Sequence, residues 1–208
     1  MKKLESTLKN MVMVLSIISV AAGLALAVVN LITSKQIEKI NAENLANGIK
    51  EVLGVALEDS LNVTTVEDSL DANFTYYYTD TDSEGHSQGT AVKTVKNGFG
   101  GPLEVLVGFA DDGTIKGYKI LSHSETPGLG AKAGEWFQEG QKGNIIGANP
   151  DSVNLTVSKD GGDIDAITAS TITSRAFLGA VQQAYDKLFP AKADGETGAS
   201  KKEKGGEQ

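Results

Sequence analysis

Between Lys9 and Lys35 the chain runs from Met11 to Ser34 without a single formal charge. At a rise of ~1.5 Å per residue, a helix through residues 11–32 is about 33 Å long, enough for the ~30 Å hydrocarbon core of a bilayer. A segment like this cannot lie on the surface of a soluble domain, so it divides the chain into an anchor and whatever the anchor holds. The competing reading is a cleaved secretory leader, for which Ala25-Leu26-Ala27 offers a small-residue site. Such leaders have apolar stretches of only ~7–15 residues, whereas here the apolar run continues to Ile32, which favours a retained anchor. Lys2, Lys3 and Lys9 precede the segment, and basic and acidic residues mix after it. The positive-inside rule then places the N-terminus in the cytoplasm and the rest on the outer (periplasmic) face.

Charge and cysteine content narrow the function classes. The net charge is -8. The segment before residue 33 is basic and the tail from Ala191 is neutral, so the body between them is more acidic than the whole. An acidic body repels phosphate backbones, which argues against a nucleic-acid partner. There is no Cys, which removes thiolate-ligated clusters, thioether-linked haem and disulfides. Of the 24 Gly, half fall between Gly98 and Gly147, marking that stretch for tight turns and close backbone approaches.

The remaining pattern predicts an α+β domain of mainly antiparallel strands with a C-terminal helix. Residues 33–53 carry Ile37, Ile40, Leu45, Ile49 and Leu53 at helical spacing, a helical stalk with Thr33 or Ser34 as candidate N-caps. Residues 74–79 and 90–95 have strand composition and flank Asp80-Thr81-Asp82-Ser83-Glu84-Gly85. That loop matches the opening of a calcium loop, but Ala91 stands where the bidentate Glu belongs, so no metal is expected and a polar hairpin loop is the better reading. Residues 103–110 and 114–121 flank Asp111-Asp112-Gly113, a strong hairpin signal expected at the heart of the sheet. A short amphipathic stretch at 131–138 carries Trp136, and residues 152–157 read as a further strand. Ile172, Ala176, Phe177, Ala180, Val181, Ala184, Tyr185 and Leu188 make the clearest helix, closed by Pro190; the tail beyond it lacks apolar bulk. The expected organisation is a cytoplasmic N-terminus at 1–10, a transmembrane helix at 11–32, stalk and first strands at 33–88, a ligand-binding domain at 89–190 and a disordered tail at 191–208.

No catalytic constellation is present. His86 and His123 are the two histidines; His123 lies near Glu125, where a solvated loop pair is the simpler account. The informative junction is Asp163–Arg175, where Thr168, Ser170, Thr171 and Thr173 gather at the start of a helix. Free N–H groups and the positive dipole end make such a start an anion site, while surplus capping hydroxyls are the plainer alternative.

Asp165-x-x-Thr168-Ala169-Ser170-Thr171 resembles the flavinylation motif Asp-x-x-(Ser/Thr)-Gly-Ala-Thr of the FMN-binding domain family. Two more stretches, Ser124–Gly130 and Gly100–Gly108, resemble further blocks of that family in the same order. With the single N-terminal anchor, residues 1–190 are similar in layout to the G subunits of Rnf electron-transport complexes. The C subunits of Na⁺-translocating NADH:quinone reductases are a near alternative, disfavoured by the short spacer after the anchor, and an anchored scaffold without flavin is the alternative from another class.

The resemblance implies a covalent FMN, its phosphate esterified to Thr171 by a flavin transferase outside the cytoplasm. It implies electron relay within a multi-subunit, ion-translocating oxidoreductase that couples ferredoxin and NAD chemistry to ion movement. Thr168 and Ser170 would be among the cofactor-binding residues, and Arg175, the only Arg, would be the counter-charge to the phosphate. Glu125, Thr126, Gly128, Leu129 and Gly130 would line the ring, and Asp165 would serve transferase recognition. Ala169 and Ser170 depart from the motif's Gly and Ala: the first restricts the backbone, the second adds a hydroxyl beside the acceptor.

Overall fold

The computed structural model describes residues 7–57, 62–68, 71, 73–79 and 88–190. The loop at 80–85, His86 and the tail at 191–208 lie outside the described residues. The chain forms two compact units, one up to Leu45 and one from Ala46 onward.

The first unit is helical. Helix α1 runs Leu8–Leu53, and its residues up to Leu45 make up nearly all the described part of that unit. Its apolar window has a mean hydropathy of 2.7 and no residue of that window is buried against protein, so apolar side chains are exposed all around the helix. A helix apolar on every side is stable where lipid replaces water. Thr33 and Ser34 do not cap a new helix. Their hydroxyls donate to the Val29 and Leu31 carbonyls, at 2.9 and 3.5 Å, inside one continuous helix. The reason is that no Pro or Gly occurs between Gly23 and Gly48 to end the first helix and let a second begin.

In the second unit, α1 ends at a left-handed Gly54 (φ 73°), and the Val55 N–H donates to the Lys50 carbonyl, closing the last turn. Five antiparallel strands follow: β1 Val63–Glu67, β2 Phe74–Thr79, β3 Thr90–Asn97, β4 Pro102–Phe109 and β5 Ile115–His123. They pair in chain order, so the strands on either side of residue 88 share one sheet. The Asp111-Asp112-Gly113 turn joins β4 to β5 as its sequence predicts, with Gly113 at φ 92°. The hairpin is not the heart of the sheet, however: β5 is an edge strand. The 137–148 loop blunts that edge, with the Ile115 N–H donating to the Ala148 carbonyl and the Gly147 N–H to the Ile115 carbonyl.

Period-two alternation sends Val105 and Val107 to one face and Leu106 and Gly108 to the other. On the first face lies helix α3, Thr171–Leu188, whose Phe177 stacks on Phe137 (centroids 4.4 Å apart) and meets the Tyr118 ring edge at 4.7 Å. On the second face lies the end of α1. A Cβ at Gly108 would sit 2.2 Å from the Val52 carbonyl oxygen, so only Gly lets that helix come so close. The Tyr118 hydroxyl donates to the Ala133 carbonyl and accepts from the Phe137 N–H, and burial pushes its pKa up. This pins the short helix α2, Ala133–Trp136, beside α3.

Residues 152–157 do not form a strand. Asn and Asp side chains capture the local backbone instead: the Asp151 N–H donates to Asn149 Oδ1 and the Asn154 N–H to Asp163 Oδ2. Only a single parallel bridge, Val157 to Ile164, remains.

Candidate functional site

A cavity of about 380 Å³ opens where three stretches meet: the Gly-rich turn between β3 and β4, the segment after β5, and the first turn of α3. Its walls are Phe99, Glu125, Thr126, Leu129, Gly130, Ala169, Ser170, Thr171, Ile172 and Thr173. The structure therefore brings together Thr171, Ser170, Glu125, Thr126, Leu129 and Gly130 from the residues singled out in the sequence. Gly128, Thr168 and Arg175 are not in the wall.

Thr171 is the first residue of α3 and is half-buried. Ser170 occupies the N-cap position, but its side chain makes no capping bond, contrary to the expectation for a hydroxyl-rich start. The hydroxyls are used otherwise. Ser174 Oγ donates to the Ser170 carbonyl and accepts from the Ile167 N–H. The first N–H groups of the helix thus have no side-chain cap among the described residues, and they belong to residues that line the cavity. Ala169 precedes this turn at φ 62°, the only non-glycine residue at positive φ among those described. Trp136 holds the approach to the turn, its indole N–H donating to the Asp165 carbonyl at 2.8 Å.

Arg175, expected as counter-charge, does not line the cavity and is bonded elsewhere. Its guanidinium donates two bonds to Asp160, Nε to Oδ2 at 2.6 Å and Nη2 to Oδ1 at 2.8 Å. That bonding holds the Asp160 carboxyl below its ordinary pKa and raises that of Arg175. The fork geometry satisfies the guanidinium where it stands, which leaves the uncapped end of α3 as the positive feature of the wall.

Glu125 is not half of a solvated pair with His123. Within the largely exposed segment 124–130 the Glu125 side chain turns inward and is only 5% exposed, and His123 Nδ1 accepts a bond from the Glu125 backbone N–H at 3.2 Å. Sequence reasoning missed Phe99 and Ile172 as wall residues and named Thr173 only as one of the hydroxyls at the helix start. A lone aromatic set among Gly98, Gly100 and Gly101 was the available signal for Phe99, since such a turn exposes the ring, here 68% accessible.

These walls fit a flat aromatic group bearing an anion. Phe99, Leu129 and Ile172 offer apolar surface, and the helix start beside the Thr171 hydroxyl offers N–H donors to a phosphate.

The family described as FMN-binding domain matches residues 98–186, a range that contains every wall of the cavity. The chain is 34% identical over 172 residues to the G subunit of the ion-translocating oxidoreductase complex of Methanosarcina acetivorans, covering 82% of this chain and 88% of that one. It is 32% identical over 193 residues to the G subunit of the Na⁺-translocating ferredoxin:NAD⁺ oxidoreductase complex of Acetobacterium woodii, covering 85% and 90%. The crystal structure of the C subunit of the Na⁺-translocating NADH-quinone reductase from Parabacteroides distasonis has a similar fold. It superposes with a TM-score of 0.50 at 19% identity, over 76% of this chain and 96% of that one.

Proposed function

Since the chain belongs to the G-subunit family of ion-translocating oxidoreductase complexes, we propose that it is the membrane-anchored electron carrier of such a complex, with FMN esterified to Thr171. The observation that carries the reading is the position of Thr171: its residue opens α3, lines the cavity and stands at a helix start with no side-chain cap. The FMN-binding domain gives the cofactor class, and FMN, when bound, supplies reversible electron transfer.

The chain's own residues divide the work of holding it. Thr171 Oγ would bear the phosphoester, and the first-turn N–H groups of α3, with Ser170 at hand, would pair with the remaining phosphate charge. Phe99, Leu129 and Ile172 would pack against the ring, and Thr126 would offer a hydroxyl at its edge. Gly128 (φ 76°) sets the turn that carries Leu129 and Gly130 into the wall. Thr168 and Asp165, both exposed, are available to a flavin transferase during maturation.

The helix within 11–32 is the one membrane span among the described residues, and Lys2, Lys3 and Lys9 favour an N-terminus in the cytoplasm with the FMN domain on the outer face. Partners are the other subunits of the Rnf-type complex, with electrons passing between ferredoxin and NAD coupled to ion movement. Without those subunits no turnover is expected. The test is co-expression with a flavin transferase followed by flavin fluorescence in a denaturing gel. Wild type should give a fluorescent band and Thr171→Val none. A dark wild-type band beside an active transferase refutes the reading, as does a label that survives Thr171→Val and maps to Ser170.

A further inference from the structure

Glu125 is the one carboxylate in the cavity wall, and its oxygens are turned into the protein. Oε1 accepts from the Phe99 N–H at 2.8 Å and the Gly100 N–H at 3.2 Å; Oε2 accepts from Thr173 Oγ1 at 2.7 Å. It makes no ion pair among the described residues, so backbone donors, one hydroxyl and the positive end of α3 hold it. The backbone is shaped around it. A Cβ on Gly98 would lie 2.0 Å from Oε1, and one on Gly130 would lie 2.3 Å from Oε2 and 2.8 Å from Thr173 Oγ1. Glycine at both positions leaves the space that the carboxylate fills.

Each of the three stretches that meet at the cavity thus has a bond to this one side chain. Phe99 and Gly100 belong to the turn between β3 and β4, Glu125 to the segment after β5, and Thr173 to the first turn of α3. Separately, the turn is a short loop closed by the Gly98 N–H on the Gly101 carbonyl at 2.8 Å, and nothing in its own sequence brings Phe99 to the cavity that Thr171 lines.

We propose that Glu125 is a positioning residue: its carboxylate clamps the Phe99 turn to the first turn of α3, and so sets the aromatic wall opposite the Thr171 hydroxyl. The flavin consequence rests on the proposed function; the clamp itself does not. The clamp is built from hydrogen bonds, which the charge of the carboxylate strengthens without setting their geometry. A Gln side chain keeps an oxygen for the Phe99 and Gly100 N–H groups and an amide that can donate to Thr173 Oγ1.

The test uses the full chain in detergent micelles and two readouts. In a flavin-free Thr171→Val background, amide hydrogen exchange at Phe99 and Gly100 should be at least about tenfold faster in Glu125→Ala, with β3 and β4 amides unchanged. In Glu125→Gln it should stay within about threefold of the parent. In the flavin-loaded protein, iodide quenching of flavin fluorescence should rise in Glu125→Ala and in Thr173→Val but not in Glu125→Gln. Thr173→Val cuts only the tie to α3 and keeps the test open should Glu125→Ala fail to fold. Unchanged protection of Phe99 and Gly100 in Glu125→Ala overturns the clamp. So does a Glu125→Gln protein as quenchable as Thr173→Val. A wild-type protein that never acquires flavin defeats the proposed function instead, while the exchange readout still decides the clamp.

Discussion

The two long helices are built from overlapping alphabets of Ala, Leu, Val, Ile and Ser, yet they answer to different surroundings. In α1 the apolar residues between Met11 and Ile32 surround the helix, and none of those in its apolar stretch is buried among the described residues. In α3 they fall on one face, where Ala176, Phe177, Ala180, Val181, Ala184 and Tyr185 are buried against the sheet, while Arg175, Gln183 and Asp186 face outward. A helix needs one apolar stripe when protein is its only apolar neighbour, and apolar residues all round when lipid is. The same difference separates their tasks: α1 holds the chain at a membrane, and α3 holds a hydroxyl at a cavity.

Mutations that treat the two helices alike should therefore give unlike results. Phe177→Ala removes a ring packed between Phe137 and Tyr118 and should cost about 3–5 kcal/mol. Leu24→Ala, on the exposed surface of α1, should change unfolding by under about 0.5 kcal/mol. Urea unfolding of the full chain in detergent, followed by Trp136 fluorescence, measures both, and equal losses would break the comparison. Val20→Arg reverses the asymmetry. It leaves the Trp136 transition alone but adds about 2.5–3.5 kcal/mol to membrane insertion, read as protein lost from the carbonate-washed membrane fraction. Full retention would show that residues 11–32 are not what holds the chain there.

Smaller changes sharpen how the start of α3 is fixed. Ala169→Gly relieves a left-handed backbone at φ 62° at the expense of a more flexible unfolded chain, and should stabilise by about 0.5–1 kcal/mol in the same assay. A destabilised variant would mean that the Ala methyl is a packing contact. The smallest effect is expected at Asp160, held below its ordinary value of 3.8 chiefly by the hydrogen bond from Arg175. Because the folded-state value is the lower one, its contribution is complete above pH 3.8 and fades as pH falls through the folded value. The gap between wild type and Asp160→Asn in urea midpoint should accordingly be constant at neutral pH and close in acid. A gap that widens in acid would contradict the sign.

Features coded by neighbouring residues were legible. The β4–β5 hairpin follows from Asp112-Gly113 between apolar runs, and α3 follows from its stripe and the Pro190 stop. Where loop bonds compete with the ladder, the pattern misleads: residues 152–157 have strand composition, but the Asn149 carbonyl takes the Ser152 and Val153 N–H groups and the Asp163 carboxylate takes that of Asn154. β1 escapes a sequence reading because Val63–Glu67 is nearly all exposed and has no buried alternation to show. Thr33 and Ser34 mislead as caps because capping residues signal a helix start only where a preceding helix has stopped.

The cavity divides along the same line. Its members Ser170, Thr171 and Thr173 lie within four residues and stand out as a hydroxyl cluster, whereas Phe99 is tied to them through Glu125, 26 residues along the chain and buried for a reason no local pattern contains. The sequence by itself determined a membrane span, the elements of an α+β domain and a hydroxyl at a helix start, because charge, hydropathy period and turn chemistry act over a few residues. Tertiary structure alone decided that Arg175 turns to Asp160, that α3 begins uncapped and that a buried carboxylate joins three stretches of chain around Thr171. Those outcomes depend on which donors and acceptors meet once the sheet has formed, and a buried polar group takes the partner the fold places within reach.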